Sequence, residues 1–290
     1  MNQEINELEE GILLDQPDVK AIYFSPTGAT KAVIENISCG LNQNNPIKVN
    51  LSNVEERNNF FSNFEHFVDS TDFFLIGLPV YFGRIPGFLI EHFQQIDGKG
   101  KSAIAVVVYG NRGPGIALNQ LVILLNQCNF KIVGAGTFIG EHALSSVFPI
   151  ALGRPDEHDV SLATEFGAQI YEARDKLKGI KGEDVPGKLD ALLRITPEKP
   201  PKPTVHLEKC IDCGLCVQSC PMGIIDSETK LYKNKAAEKL CLGCMSCVKV
   251  CPQGARSVEF SSPMKYITGK LFLKEALNSR KEPFTLLKNT

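Results

Sequence analysis

The sequence predicts an α/β domain with a five-stranded parallel sheet, followed by a small α+β domain that contains most of the cysteines. Three observations lead to this fold class. Apolar runs alternate with amphipathic stretches over residues 19–174, eight of the ten cysteines fall in two matching runs, and prolines cluster between these regions. At 290 residues, the chain is long enough for one medium-sized domain and one small domain.

Five apolar runs in the first region have the length and composition of buried strands. They are rich in valine, isoleucine, leucine and phenylalanine, as expected for parallel strands with helices on both faces. The predicted strands cover residues 20–24, 47–51, 72–78, 103–109 and 131–138. The predicted helices cover residues 30–41, 54–64, 87–95, 116–126 and 157–177. The regular alternation predicts a parallel sheet covered on both sides.

The proline-rich stretch sets the predicted domain boundaries. We predict an α/β domain over residues 1–181, a linker over 182–204, a cysteine-rich domain over 205–260, and a tail over 261–290 that forms a packed helix. Proline fixes φ and removes a backbone donor, so the run that ends at Pro203 favours an extended spacer. Residues 189–195 are a candidate short amphipathic helix within the linker.

The two cysteine runs predict the ligands of iron–sulfur clusters. Each run has the spacing C-x2-C-x2-C-x3-C-P, and the second repeats the first 31 residues later. With this bacterial spacing, the first three cysteines of a run bind one [4Fe–4S] cluster and the fourth binds the other. The first predicted ligand set is Cys210, Cys213, Cys216 and Cys251, and the second set is Cys241, Cys244, Cys247 and Cys220.

Structural zinc is an alternative interpretation of these cysteines. Zinc sites combine two C-x2-C pairs, however, and they lack the third cysteine and the C-x3-C-P ending found here. Disulfide bonds would require an oxidising compartment. The two remaining cysteines, Cys39 and Cys128, lack metal-binding spacing and are predicted to be buried thiols.

Charge and hydropathy exclude several classes of partner. The chain has a formal net charge of −2, and the lysines after Val205 are scattered rather than arranged in a stripe, so we expect no nucleic-acid partner. The longest apolar runs, at 73–80 and 103–109, are too short to span a bilayer. Residues 1–4 lack the basic start of a signal peptide, and we expect a cytoplasmic location.

The loop after the first predicted strand is a candidate anion site. It combines hydroxyl and small side chains at the start of a helix, where backbone N–H groups bind anions and glycine permits close approach. A turn that only caps the helix is the alternative. The candidate residues in this loop are Ser25, Thr27, Gly28, Ala29, Thr30 and Lys31.

The loops after the third and fourth predicted strands should meet the first loop. Ligands of open α/β sheets bind at the carboxyl ends of the strands, where the strand order reverses. Tyr81 or Phe82 would cover one face of a bound ring, with ordinary core packing as the alternative. The candidate residues in these loops are Pro79, Val80, Tyr81, Phe82, Gly83, Gly110, Asn111, Arg112, Gly113 and Gly115.

The first loop resembles the [ST]-x-T-G-x-T phosphate loop of flavodoxins, and the whole chain resembles flavodoxin–ferredoxin fusion proteins of anaerobes. Residues 19–178 match the flavodoxin part, and residues 205–260 match the two-cluster ferredoxin part. The resemblance implies a flavodoxin-like fold, bound FMN, two [4Fe–4S] clusters and a cytoplasmic electron carrier. Three features depart from it: the chain has no tryptophan, Ala29 replaces a common asparagine, and Gly113-Pro114-Gly115 replaces a common aromatic residue.

These observations favour an electron-transfer protein that passes single electrons between two [4Fe–4S] clusters and FMN. Its expected partners are redox proteins of the ferredoxin type. One alternative is an iron–sulfur flavoprotein reductase of a small molecule, for which His142 is the candidate acid/base residue. Another is a redox sensor with an empty flavodoxin-like domain. We expect a carrier rather than an enzyme, and we assign no catalytic residue.

Overall fold

The computed structural model describes residues 18–42, 46–186, 200–259 and 262–288. The first part of the chain is a sheet with helices on both faces. Its strands are β1 (Val19–Tyr23), β2 (Ile47–Asn50), β3 (Phe73–Pro79), β4 (Ser102–Tyr109) and β5 (Lys131–Ile139). Its helices are α1 (Ala29–Gly40), α2 (Val54–Ser62), α3 (Phe64–Asp69), α4 (Gly87–Phe93), α5 (Ala117–Gln127) and α6 (Glu157–Ala173).

These five strands pair in parallel in the order β2-β1-β3-β4-β5. This is the strand order of a flavodoxin-like sheet, in which the direction of winding reverses between β1 and β3. The predicted fold class is therefore confirmed. Each predicted strand begins and ends within one residue of the observed strand.

Two apolar layers hold this sheet between its helices. One layer joins the sheet to α1 and α6, and the other joins it to α2, α3, α4 and α5. The helix predicted at 54–64 divides into α2 and α3 at Asn63. The Asn63 side chain donates a hydrogen bond to the Asn59 carbonyl (3.0 Å), which competes with a continuous helix.

The cysteine-rich region is built on two short strands, β6 (Thr204–Val205) and β7 (Arg256–Ser257), which pair antiparallel. Its short helices are α7 (Leu215–Gln218), α8 (Lys235–Lys239) and α9 (Ser246–Lys249). The sequence repeat is also a repeat of backbone shape. Gly214 and Met245 both have positive φ and precede α7 and α9, and Gly223 and Gly254 both have φ of 59°. One structural unit is therefore used twice.

The C-terminal segment returns to the α/β domain. It contains α10 (Pro263–Phe272), α11 (Lys274–Asn278) and the strand β8 (Phe284–Leu286). Strand β8 pairs antiparallel with β5, so the sheet has a sixth strand that the sequence analysis did not predict. It covers the edge of the sheet that β5 would otherwise expose.

The start of the predicted linker packs on the α/β domain. Residues Gly182–Asp184 form a short 3-10 helix, and the Asn119 side chain in α5 donates to the carbonyl of Val185 (2.9 Å). The predicted linker helix at 189–195 lies outside the described residues. Cys128 is buried as predicted, but the prediction is wrong for Cys39, which is exposed near the end of α1.

Candidate functional site

A cavity of about 240 Å³ lies at the carboxyl edge of the parallel sheet. The loops after β1, β3, β4 and β5 form its walls, so it coincides with the point where the strand order reverses. Twelve of the predicted cofactor-binding residues line it, namely Ser25, Thr27, Ala29, Thr30, Pro79, Val80, Tyr81, Phe82, Gly83, Gly110, Arg112 and Gly113. The structure therefore brings the three predicted loops together at one site, which we call the sheet-edge cavity.

The loop between β1 and α1 presents backbone donors to this cavity. The Lys31 N–H donates to Ser25 Oγ (2.9 Å), and the Ser25 N–H donates to Ser52 Oγ (2.7 Å), which fixes the loop. Gly28 precedes α1 with φ of 95°, and its position is not capped by a described side chain. In the first helical turn, the Lys31 and Ala32 N–H groups donate to Ser25 Oγ and to the Gly28 carbonyl, which leaves the Ala29 and Thr30 N–H groups for an anion. The helix dipole adds to their attraction.

Gly140, which directly follows β5, packs closely against this loop at Ala29. A Cβ atom at Gly140 would lie 2.7 Å from the Ala29 Cβ and 3.0 Å from the Val108 Cγ1. Both separations are tighter than ordinary carbon contacts. Gly140 also lines the cavity, so a side chain there would displace the loop between β1 and α1.

Four predicted residues, Gly28, Lys31, Asn111 and Gly115, are absent from the cavity lining. Gly28 and Lys31 shape the first loop, as described above. Gly115 joins the two other loops, because a Cβ there would lie 2.5 Å from the carbonyl oxygen of Gly83. Its φ of 57° also favours glycine.

The side chain of Asn111 has partners in the C-terminal segment, so only its backbone remains for the predicted cofactor site. The side chain is buried, and its Nδ2 donates to the carbonyls of Ala276 (2.9 Å) and Ser279 (2.6 Å). Its Oδ1 accepts a hydrogen bond from the Lys281 N–H (2.9 Å). These bonds use the amide to hold the C-terminal segment, because that segment leaves several backbone groups to be satisfied at the end of α11. The Asn111 side chain is thus directed to the tail instead of the cavity.

Tyr81 and Phe82 both line the cavity but differ in exposure. Tyr81 is half-buried, and its backbone forms a two-way bridge with Arg84. Burial, together with the nearby Cys244 thiol, raises the pKa of the Tyr81 phenol, so the phenol is protonated at neutral pH. Phe82 has positive φ and remains 47% exposed, so it borders the cavity opening.

His142 also lines the cavity, after β5. Its Nδ1 accepts a hydrogen bond from the Leu144 N–H (3.0 Å). Burial and the charge of Arg112 lower its pKa to about 4, so the imidazole is neutral at neutral pH. The accepting Nδ1 leaves the proton of the neutral ring on Nε2.

Six further lining residues come from parts of the chain that the sequence analysis did not connect to this site. They are Pro201, Leu242, Gly243, Cys244, Gly269 and Leu273. The first four belong to the cysteine-rich region and its approach, and the last two belong to α10 and the turn after it. No local pattern predicts them, because only the folded chain places these segments over the sheet edge.

The two predicted cysteine sets line two separate cavities. Cys210, Cys213, Cys216 and Cys251 surround one, and Cys220, Cys241, Cys244 and Cys247 surround the other. We call these the outer set and the inner set. Each cavity thus collects three cysteines of one run and the fourth cysteine of the other run. The fold thus groups the cysteines in the crossed arrangement that the spacing predicts.

The surroundings of the two sets differ. Lys230 and Arg256 line the outer cavity, and Cys213 and Ile211 beside it are exposed. The inner cavity is lined mostly by apolar side chains, which are Pro203, Pro221, Met222, Ile224, Ile225, Leu242 and Met245. Burial is the largest cause that raises the pKa of the Cys244 thiol, to about 12, in the absence of a bound cation. A buried set of this kind needs positive charge before its thiols ionise.

Hydrogen bonds reach sulfur atoms in both sets. The Ala255 N–H donates to the Sγ of Cys251 in the outer set (3.2 Å). In the inner set, the Tyr232 hydroxyl lies 3.6 Å from the Sγ of Cys241 and 3.0 Å from the Pro203 carbonyl. No group of three or more His, Cys, Asp or Glu side chains within the described ranges is arranged to hold a metal ion. Thiolates of a cubane bind separate irons, so they surround the cluster without converging on one ion.

Direct contacts join the cysteine-rich region to the α/β domain. The Ser246 hydroxyl donates to the Pro26 carbonyl in the first cavity loop (2.7 Å). Arg57 in α2 donates to the Pro221 carbonyl (2.9 Å). Through these contacts the inner set, rather than the outer set, faces the α/β domain.

Comparison with known proteins agrees with this description of the cysteine-rich region. Residues 209–256 match the family model of the 4Fe-4S dicluster domain, and this range includes all eight predicted ligands. The match supports 4Fe–4S iron–sulfur binding and a redox electron-transfer role. No curated protein matches the chain. Every helix in the described part of the chain is too short or too polar to cross a membrane.

Solved structures resemble about half of the chain. A flavodoxin from the domain Archaea is 16% identical, with a TM-score of 0.36, over 53% of this chain and 96% of that one. A flavodoxin, WrbA-like protein from Agrobacterium tumefaciens is 16% identical, with a TM-score of 0.36, over 54% and 96%. Rubredoxin oxygen:oxidoreductase from Desulfovibrio gigas is 13% identical, with a TM-score of 0.39, over 54% and 36%. At these values, the fold assignment rests on the strand order itself.

Proposed function

We propose that this protein is an electron carrier that passes single electrons between two [4Fe–4S] clusters and FMN. The observation that carries the proposal is the position of Cys244. This residue belongs to the inner cysteine set and also lines the sheet-edge cavity. A predicted ligand of one cluster therefore forms part of the wall of the predicted flavin site, which is the arrangement that electron transfer between them requires.

The outer and inner sets would each hold one cluster. Both sets consist only of cysteine, and thiolates are the ligands that iron–sulfur clusters use. The outer set lies nearer to the surface, because Cys213 is exposed and Ile211 is 59% exposed. This surface is where we expect ferredoxin-type redox partners to bind.

The sheet-edge cavity would hold FMN. The first turn of α1 would bind the phosphate, and Tyr81 and Leu242 would contribute apolar surface for the ring. When bound, FMN supplies chemistry that joins one-electron and two-electron reactions. A second cavity of about 310 Å³ adjoins the first, and both are lined by Thr27, Glu141, His142 and Ala143. The two together offer the space that cofactor sites commonly have, about 300–1,000 Å³.

Leucines of the cysteine-rich region and the tail would cover the flavin where a tryptophan, or an aromatic residue in the loop after β4, is missing. There is no tryptophan, and the loop after β4 carries Gly113 and Gly115. Leu242 from the cysteine-rich region and Leu273 from the tail line the cavity instead. On the proposed function, these segments exclude water from the flavin site and shorten the separation between the cofactors.

The cofactor content of protein purified without oxygen tests the proposal. We expect about eight irons, about eight sulfides and one FMN per chain, on the stoichiometry of two cubanes and one flavin. The absorption spectrum should show both flavin and cluster bands. Zinc in place of iron, or a colourless protein after correct anaerobic handling, would refute the proposal.

Reduction of a small molecule is the second candidate function. The second cavity favours it, because this space adjoins the predicted flavin site and is lined by His142, Glu141 and Ser145. The neutral His142 ring would donate a hydrogen bond from Nε2 to a bound substrate. Steady turnover of a quinone or a nitro compound that falls at least tenfold in His142→Ala, with unchanged flavin content, would favour the reductase.

A further inference from the structure

A buried cation, Arg57, lies where the α/β domain meets the inner cysteine set. Arg57 in α2 is only 6% exposed. Its Nη1 donates to the carbonyl of Leu51 (2.9 Å) in its own domain and to the carbonyl of Pro221 (2.9 Å) in the cysteine-rich region. Pro221 directly follows Cys220, which is one of the inner set. The guanidinium therefore contacts the backbone of a predicted cluster ligand.

The charge of Arg57 has no counter-ion within the described part of the chain. Its guanidinium lies over the ring of Phe88, with 5.2 Å from Cζ to the ring centroid, and its Nε has no hydrogen-bond partner. Burial is the one cause that lowers its pKa, with no contribution from a carboxylate. A buried charge held only by neutral carbonyls and a ring is unfavourable unless an anion compensates it.

The neighbouring inner set supplies such an anion once it is loaded. Four thiolates around an oxidised cubane carry a net charge of about −2. We infer that Arg57 is the counter-charge of the inner [4Fe–4S] cluster, and that it both docks the cluster region onto the α/β domain and raises the reduction potential of that cluster. This inference rests on the proposed function, because it requires a cluster in the inner set.

The sign of the effect follows from the charge of the reduced state. Reduction adds one negative charge to the cluster, and a nearby cation stabilises that charge. Removal of the cation makes reduction harder and lowers the potential. The outer set has no described contact with Arg57, so its potential should change less. A merely structural role for Arg57 would not produce such a selective shift.

The experiment compares Arg57→Met and Arg57→Lys with a matched control, Arg174→Met. Arg174 also stacks on an aromatic ring, Tyr171 (4.4 Å), and donates to a backbone carbonyl (2.7 Å), but it follows α6, which packs on the opposite face of the sheet from α2. The two cluster potentials are measured in the full-length holoprotein by anaerobic redox titration, followed by electron paramagnetic resonance. Iron content is measured in every sample.

We expect Arg57→Met to lower the equilibrium constant for one-electron reduction of one cluster about tenfold. This corresponds to a reduction potential that is lower by about 59 mV. Arg57→Lys should retain most of the wild-type potential, and Arg174→Met should leave both potentials unchanged. Two unshifted potentials in Arg57→Met with full iron content would overturn the inference but leave the proposed function intact. A wild-type protein without iron would overturn both.

If Arg57→Met loses four irons, its inner cluster is absent and has no potential to measure. The inference is then tested with Arg57→Lys. Retention of both clusters with nearly wild-type potentials in the lysine variant would support the counter-charge, because lysine keeps the charge but not the geometry of the guanidinium. A potential lowered tenfold in the lysine variant, or loss of its inner cluster, would overturn the inference.

Discussion

The outer and inner cysteine sets come from the same repeated unit but have different surroundings. Both have identical spacing, and their backbones share positive φ at corresponding positions. The outer cavity contains Lys230 and Arg256 and opens near exposed Cys213, whereas the inner cavity is mostly apolar and shares Cys244 with the sheet-edge cavity. The spacing therefore predicts the ligands of each set, and on the proposed function the different surroundings would give the two clusters different redox partners.

The largest expected effect comes from removal of one ligand from each set. Cys244→Ala should lower iron content from about eight to about four per chain, and so should the matched variant Cys213→Ala. Only Cys244→Ala removes a cluster from the wall of the sheet-edge cavity. Flavin reduction by a ferredoxin-type donor should therefore fail in Cys244→Ala, and iron, sulfide and stopped-flow measurements check this. Equal rates of flavin reduction in the two variants would contradict the claim that the inner set, and not the outer set, transfers electrons to the flavin.

A side chain at Gly140 should disturb the flavin site without affecting either cysteine set. In Gly140→Val, the added atoms overlap Ala29 and Val108, and overpacking of this kind costs about 1–3 kcal/mol. We expect FMN affinity to fall about tenfold or more, as measured by fluorescence titration, with unchanged iron content. Gly179→Ala is the control, because a Cβ there meets Lys131 Cγ at an ordinary 3.7 Å. Equal FMN affinity in both variants would contradict the proposed loop geometry.

The charges beside the outer set should tune its potential in opposite directions. Lys230 is buried, and its ammonium forms an ion pair with exposed Asp212. Lys230→Met leaves a carboxylate beside the cluster and should lower the outer potential, whereas Asp212→Asn leaves the ammonium and should raise it. We expect the equilibrium constant for reduction of the outer cluster to shift about fivefold or less in each variant, because solvent screens exposed charges. Redox titration in which both variants shift the same way would contradict this assignment.

The smallest expected effect is at Tyr232, beside the inner set. Its hydroxyl lies near Cys241 Sγ and the Pro203 carbonyl. The hydroxyl has one proton, which the Pro203 carbonyl and the Cys241 sulfur share. Tyr232→Phe removes this shared donor, so we expect the equilibrium constant for reduction of the inner cluster to change about fivefold or less. The inner potential should fall while the outer potential stays constant. A shift confined to the outer set would reverse our assignment of the two cavities.

Much of this architecture could be predicted from local patterns. Apolar runs located all five parallel strands. Four of them are almost fully buried and have no polar face to obscure the pattern, whereas the edge strand β2 is partly exposed. The cysteine spacing predicted two sets, and the fold places each set around its own cavity. The candidate loops followed from the rule that parallel strands end at one edge of a sheet, and most of their residues line the sheet-edge cavity.

Contacts between distant segments could not be predicted in this way. Strand β8 has only three residues, too few to show a strand pattern in the sequence, and it is defined by its pairing with β5. Asn111 belongs to a predicted flavin loop, and its side-chain amide donates to backbone carbonyls of the tail, a contact that no local pattern indicated. Leu242 and Leu273 line the sheet-edge cavity, and Arg57 meets Pro221. Each of these contacts depends on how the cysteine-rich region and the tail pack on the α/β domain. The spacing of apolar residues within one segment carries no information about such packing.

Transfer between the inner set and the flavin within one chain tests the central claim most directly. The holoprotein is mixed anaerobically with limiting dithionite in a stopped-flow instrument, and the cluster and flavin absorbances are followed over a range of protein concentrations. We predict that cluster reduction precedes flavin reduction, with a transfer rate that does not depend on protein concentration, because Cys244 lies at the cavity wall. A rate proportional to protein concentration, or flavin that stays oxidised beside reduced clusters, would contradict the account.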